Sequence, residues 1–450
     1  MEKVLQTINS AIWGLPLLLL ILCVGVLLSV KTKFAQFTLF PKAVKNFIKG
    51  KDKRKELFTA LAATVGTGNL AGVAGAITIG GPGAVFWMWV CGFIGMITKF
   101  AEATLAVYYR KKAEHGQYVG GPMYIISSAL PSNAHWLATG YCFFGAIAAF
   151  GVGNATQINA AIGSIQSALN SVDIHTGYSF QILLGAVFSV LIFLGLWNGE
   201  SNIGKIAEKL VPFASISYLL IGCGVLALNY HRILPTFKLI FAGAFSPGAV
   251  TGGVVGSAFI ALRTGAARGV FTNEAGMGTA GIAHAGANVK HPVEQGMMGI
   301  VEVFIDTIVI CTMTALVIFC SGVPIPYGSD AGVHLTSLAF SAIYGPWASA
   351  IMAIMVCCFA VATVFGWSLY GGRCIQFLFG AKSWRIFVVL QAVMVIVSAV
   401  MKTGTAWILA EIVNGLMAVP NLILLIWLSP KVVQLYHEYK MLNKKSSRLS

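Results

Sequence analysis

The chain has 450 residues, of which 57% are hydrophobic and only 10% charged, with a mean hydropathy of +0.81. Soluble domains carry about 25% charged residues, so the composition excludes one and defines an all-α polytopic membrane protein. The formal net charge of +15 would suggest nucleic acid in a soluble protein. Here the basic residues fall in short loops, so they report topology and contact with the lipid bilayer, and no nucleic-acid partner is expected.

The first apolar run, residues 12–30, follows a segment of little positive charge, and no small-residue cleavage site comes after it. A span is expected there rather than a signal peptide. Residues 31–55 then carry nine lysines and arginines, from Lys31 to Lys55, interleaved with Phe34, Phe37, Phe40, Val44, Phe47 and Ile48. That pattern predicts a basic amphipathic helix on the inner membrane surface. It also predicts an external N-terminus, because the densest basic run stays in the cytoplasm.

The next apolar run, residues 57–79, is broken by Gly66, Thr67, Gly68 and Asn69. Gly80, Gly81, Pro82 and Gly83 break the chain again before a return span at 84–109. A helix interrupted at mid-depth frees backbone groups that lipid cannot satisfy, so it survives only in protein or beside a wet cavity. Spans are then expected at 135–169, 180–197 and 206–228, and an external connection at 229–247. Residues 252–284 form a second broken segment, with its break expected near Thr264–Gly269, numbered 264–269. Spans at 292–319, 346–371, 386–401 and 407–428 complete about 11 crossings, and a loop without Lys or Arg is expected at 321–344. The tail, 429–450, is basic and expected in the cytoplasm.

Without the first span, ten crossings divide into residues 57–228 and 252–428, each half opening on a glycine-broken segment. Five is odd, so the second half is inverted relative to the first. Interrupted segments at matching positions of two inverted halves mark a transporter binding site. The nine cysteines lie mostly in apolar runs and show no metal-ligand spacing, so no resident metal or cofactor is expected. HExxH, GxSxG and P-loop motifs are absent, and the glycines at 66 and 68 lack a strand-turn-helix context. An enzyme is not expected.

Three motifs carry a family resemblance: Gly80-Gly81-Pro82-Gly83-Ala84-Val85-Phe86-Trp87-Met88-Trp89, Gly120-Gly121-Pro122-Met123-Tyr124 and Thr272-Asn273-Glu274-Ala275-Gly276-Met277-Gly278. With them the chain resembles the alanine or glycine:cation symporter family over nearly its whole length. The resemblance implies a LeuT-type 5+5 inverted repeat behind one extra N-terminal helix. It further implies coupling to Na⁺, a small neutral amino acid as substrate, and a multi-pass place in the cell (inner) membrane. A proton-coupled transporter and an uncoupled channel or facilitator are the alternatives. Gly281 departs from the family pattern, which expects proline there, and predicts a looser end to the second broken segment.

Polar residues inside spans are costly and default to functional hypotheses. Thr67, Gly68 and Asn69 are expected to hold a substrate carboxylate. The backbone of Thr64, Val65 and Gly66, with the Thr363 hydroxyl, is expected to hold the cation. The resemblance makes Asn154, Thr363 and Trp367 substrate contacts, Trp367 limiting the side chain; Thr363 and Trp367 are four apart and share a helix face. Ser257 is a further pocket candidate. Asn273 and Glu274 are expected to brace the cytoplasmic gate. Glu302 and Asp306 stand between a structural network with Lys99 or Arg263 and a cation-facing role. Glu102 is expected to pair with Lys99, Gln157 and Asn159 to make structural interhelical hydrogen bonds, and Glu411 has no evident partner.

Overall fold

A computed structural model describes residues 2–49, 54–113, 118–197, 199–329 and 332–449. The expected positions Lys51 and Lys53 lie outside the described residues, as do the side chains of residues 444–450. The N-terminal run divides into α1 (Glu2–Ile12) and α2 (Leu15–Lys31), because Gly14 and Pro16 cannot continue one helix into the next. Two short helices, α3 (Ala35–Thr38) and α4 (Phe40–Lys49), carry the basic amphipathic segment. Phe37, Phe40 and Phe47 stack on Phe93, Phe304 and Phe58, so this segment leans on the bundle as well as facing outward.

The first broken crossing consists of α5 (Arg54–Thr64), a 3₁₀ turn over Thr67–Asn69, and α6 (Ala71–Gly80), bent by 51°. Gly81, at φ +73°, then turns the chain into α7 (Gly83–Tyr108). A hairpin of β1 (Lys111–Lys112) and β2 (Tyr118–Val119) leads to α8 (Pro122–Ala129). The next crossing joins α9 (Trp136–Phe150) to α10 (Thr156–Asn170) through a π-helical stretch, Gly151–Ala155. After it come α11 (Tyr178–Trp197) and α12 (Ser201–Leu228).

The expected connection at 229–247 is instead mostly α13 (Ile233–Phe245), followed by α14 (Pro247–Val250). Its helix is held by close backbone approach: a Cβ on Gly83 would lie 2.1 Å from the Gly243 carbonyl oxygen. The second broken segment consists of α15 (Ala258–Asn273) and α16 (Thr279–His284). Next come α17 (Pro292–Val303), a π stretch over Phe304–Cys311, and α18 (Thr312–Ser321). The expected loop at 321–344 contains α19 (Gly332–Tyr344). The chain ends with α20 (Trp347–Phe379), α21 (Ser383–Ala399), α22 (Thr403–Trp427) and α23 (Ser429–Leu449).

Among the described residues, eight helical stretches are long and apolar enough to cross a membrane, or nine with the bent α5–α6 pair. Helix α7 packs on α15 and α17, while α20 packs on α5, α9, α10 and α12. Small residues set these approaches, as they do between membrane helices. A Cβ on Gly366 would lie 2.7 Å from the Ala63 nitrogen, so α20 touches the backbone of α5 just before the break. Lys31 reaches Ser429 and Lys42 reaches Asn443, which places α4 and α23 on one face.

Candidate functional site

The first break is built by glycine and held by side chains. Gly66 is extended, at φ −143° and ψ −156°, which ends α5. Asn69 folds back, and its Oδ1 accepts from the Gly66 N–H at 2.9 Å. Gln157 reaches across from α10, and its Oε1 accepts from the Thr67 N–H at 3.1 Å and the Thr67 hydroxyl at 2.8 Å. Among the described residues, no hydrogen bond reaches the Val65 carbonyl, which lies between the two helices. Buried main-chain groups are nearly always paired, so an unused one beside a buried hydroxyl is suited to a ligand.

Thr363 comes to the same spot from α20. Its hydroxyl is buried without a hydrogen-bond partner, and a Cβ on Gly66 would lie 2.3 Å from it. The predicted set Thr64, Val65, Gly66, Thr67, Gly68, Asn69 and Thr363 is therefore brought together at one point.

Trp367 lies one turn further along α20 and is fully buried. It fits against the π stretch because residue 153 is glycine: a Cβ there would lie 2.2 Å from the Trp367 Cβ. Its ring packs edge-on against Tyr370 at 5.6 Å, and its Nε1 has no partner. Asn154 turns elsewhere. Its Nδ2 donates to the Gln391 carbonyl on α21 at 3.0 Å, while its Oδ1 is buried and unpartnered. Ser257 is corrected outright: it is exposed and caps α15, its Oγ accepting from the Ile260 N–H at 3.4 Å.

The second break also moves. Residues 264–269 are helical, and the chain unwinds at 274–278 instead. Glu274, Gly276 and Gly278 have φ of +56°, +94° and +79°, so the glycines supply a turn that other residues resist. Glu102 does not pair with Lys99 here. Its Oε1 accepts from the N–H groups of Gly276 and Gly278 and from Asn421, at 2.9, 3.0 and 2.7 Å. Asn273 and Glu274 lie at this unwound stretch and hold it, taking the Ala275 N–H and the Thr279 hydroxyl. Gly281 is packed rather than loose, since a Cβ there would lie 3.2 Å from that of Ala106.

One polar chain joins the two breaks. Asn69 Nδ2 donates to Asp306 Oδ1 at 2.7 Å, and the Thr307 hydroxyl donates to Asp306 Oδ2 at 2.9 Å. Asn273 Nδ2 donates to that hydroxyl at 3.1 Å, and Lys99 Nζ donates to the Asn273 carbonyl at 2.6 Å. Lys99 pairs with Glu302 at 3.0 Å, and His284 contacts Glu302 at 2.9 Å. Asp306 thus belongs to the first break and Glu302 to the Lys99 network; Arg263 joins neither.

Two site features escape the sequence. Gln157 makes the interhelical hydrogen bond expected of it, but its partner, Thr67 at the break, is not readable from the sequence. The π stretch inserts an extra residue in the turn, which rotates Asn154 and Gln157 away from their α-helical relation. Glu411, without an evident partner in the sequence, pairs with Arg268 at 3.1 Å. Asn159 is structural as expected, bonded to Met401 and Thr403.

The fold is similar to that of MhsT, solved in complex with L-phenylalanine, with a TM-score of 0.59 at 13% identity. The match covers 85% of this chain and 97% of that one. That likeness defines the fold class, a LeuT-like helical bundle with a crossing broken at residues 66–69. The model of the sodium:alanine symporter family matches residues 1–449, and the chain belongs to that family. It is 39% identical to the sodium/alanine symporter AgcS of Methanococcus maripaludis, over 99% of each chain. It is 34% identical to the amino-acid carrier protein AlsT of Bacillus subtilis, over 88% of this chain and 82% of that protein. The protein is a multi-pass amino-acid transporter and not an enzyme.

Proposed function

We propose that this protein imports alanine, glycine or a similar small neutral amino acid together with Na⁺, by alternating access around the first break. The observation that carries this reading is the Thr363 hydroxyl, buried and unpartnered among the described residues against Gly66, beside a break whose Val65 carbonyl is unclaimed. A set of neutral oxygens without a carboxylate suits a hard monovalent cation. The Gly68 N–H, with Thr67 and Asn69 fixing the turn around it, faces the substrate carboxylate. Trp367 bounds the side-chain space, and the buried Asn154 Oδ1 supports a place for Asn154 at its edge.

On this reading the chain crosses the membrane 11 times: the eight long stretches, the α5–α6 pair, the α15–α16 pair and the shorter α21. The ten crossings after α2 form two inverted halves of five. The N-terminus is external and the C-terminus cytoplasmic, with the basic face of α4 and α23 inside. Asp306 favours proton coupling as the second reading, since it is a fully buried carboxyl bonded to neutral partners at the first break. Uptake of labelled alanine into proteoliposomes separates the readings. Symport with Na⁺ requires accumulation driven by a Na⁺ gradient alone. Uptake driven equally by a proton gradient in Na⁺-free buffer would replace it, and equilibration without any gradient would make the protein a facilitator.

A further inference from the structure

A cavity of about 490 Å³ opens at the face where α1 and α22 begin, walled chiefly by α1, α15 and α22, with Ile79 of α6 and Gly328 completing the lining. Asn9 and Trp13 come from α1, Arg263 and Arg268 from α15, and Trp407 and Glu411 from α22. The pair between Arg268 and Glu411 spans it at 3.1 Å and is largely buried, at 6% and 11% side-chain exposure. A buried ion pair holds only when its remaining polar atoms are also satisfied. Here α1 satisfies the carboxylate side. Asn9 Nδ2 donates to the second carboxylate oxygen of Glu411 at 2.6 Å, and Trp13 Nε1 donates to the Glu411 carbonyl at 2.9 Å.

Helix α1 is locked to α22 and not to α15. A Cβ on Gly415 would lie 2.4 Å from Ile12 and 3.4 Å from Trp13 Nε1, so the two helices touch closely behind Glu411. In front of it, the Arg268 guanidinium lies 4.3 Å from the Trp407 ring centre. Trp407 stacks on Phe271 at 4.7 Å. Cβ atoms on Gly72 and Gly68 would lie 3.5 Å from Trp407 and 3.4 Å from Phe271. Trp407 therefore forms the cavity floor, and Phe271 packs beneath it next to the first break. Separating α15 from α22 must break the Arg268–Glu411 pair and uncover that break.

We propose that α1 is a strut of the gate at this face: Asn9 and Trp13 are positioning residues that hold Glu411 where it captures Arg268, and so set how often the cavity connects to the first break. The inference rests on alternating access, but not on which ion or amino acid is carried. The test therefore uses no transport. A cysteine placed at Ala267, on the buried wall of the cavity, is modified by a charged maleimide in detergent-purified protein, with the cysteine-at-267 parent as reference. A hydrogen bond to a buried carboxylate is strong enough that Asn9→Ala should raise the rate about tenfold. Thr7→Ala, on the exposed side of α1 and bonded only to Lys3, should leave it unchanged. Glu411→Gln should raise the rate as well, and adding Asn9→Ala to it should give little more, because both act through one pair. An unchanged rate in Asn9→Ala, at the parent's melting temperature, overturns the proposal. So does full additivity with Glu411→Gln, which would make α1 merely a packing element.

Discussion

Asn69 Nδ2 lies 2.7 Å from Asp306 Oδ1 and 3.2 Å from the Asp306 carbonyl, while Asn69 Oδ1 holds the Gly66 N–H. One side chain thus ties the first broken helix to the π stretch that follows α17. Both residues are fully buried, so neither bond exchanges with water. Asp306→Ala removes the acceptor of the Asn69 amide and of the Thr307 hydroxyl and leaves Asn69 only its 3.2 Å contacts to the residue-306 carbonyl and Cys311 Sγ, which costs about 1–3 kcal/mol. The expected outcome is a lower melting temperature together with lost alanine uptake. Asp306→Asn keeps a bonding oxygen and should restore most of the stability. Equal melting temperatures for Asp306→Ala and the parent would mean that the bond does not hold the break.

Thr363 gives an unusual prediction because its hydroxyl has no protein partner. Removing a bonded hydroxyl normally destabilises; removing this one leaves nothing in the protein unpaired. Thr363→Val should therefore melt near the parent temperature yet need at least about tenfold more Na⁺ for half-maximal alanine uptake. Thr363→Ser should behave like the parent. A Thr363→Val protein with unchanged Na⁺ dependence would remove Thr363 from the cation site.

Gly66 is the position where the backbone itself leaves no room. A methyl group there meets the Thr363 hydroxyl at 2.3 Å and Gln157 Oε1 at 3.2 Å. Overpacking of this kind costs about 1–3 kcal/mol. Gly66→Ala should lower the melting temperature and abolish uptake. Adding Thr363→Ala should recover stability but not Na⁺-driven transport. Recovery of both would show that the Thr363 oxygen is dispensable.

Much of this was legible in the sequence, and the losses have physical causes. The break at Gly66–Asn69, numbered 66–69, could be read because two glycines, a threonine and an asparagine interrupt an otherwise apolar run. The second break was placed about ten residues early. Glycines at 265 and 269 resemble a break, but they serve close packing: a Cβ on Gly265 would lie 2.3 Å from the Ala84 carbonyl oxygen. The true unwinding needs the acceptor Glu102 from another helix, which no local pattern reveals. Helices α13 and α19 looked like connections because they are short and flanked by turn residues. Ser257 was misplaced with the second break. The partner of Gln157 was hidden by the π stretch, whose register shift leaves no mark in hydropathy.

Trp367 tests the substrate space. It packs on Gly153 and its Nε1 is unpartnered, so a smaller apolar residue strands no polar group. A hydrophobic pocket distinguishes one methylene by about 1–3 kcal/mol. Trp367→Leu should weaken alanine binding and improve valine or leucine relative to alanine. Asn154→Ala should instead weaken all amino acids together. Competition by a series from glycine to leucine against labelled alanine measures both. An unchanged rank order in Trp367→Leu, with uptake still measurable, would place Trp367 outside the pocket.

The central claim is that an amino acid and Na⁺ cross together at the first break. Its most direct measurement is the influx of radiolabelled Na⁺ into proteoliposomes, with and without alanine on the same side. The account predicts alanine-stimulated Na⁺ influx in the parent protein and its loss in Thr363→Val. Alanine accumulation at full rate under a proton gradient, in Na⁺-free buffer and with no Na⁺ flux coupled to it, would contradict the account.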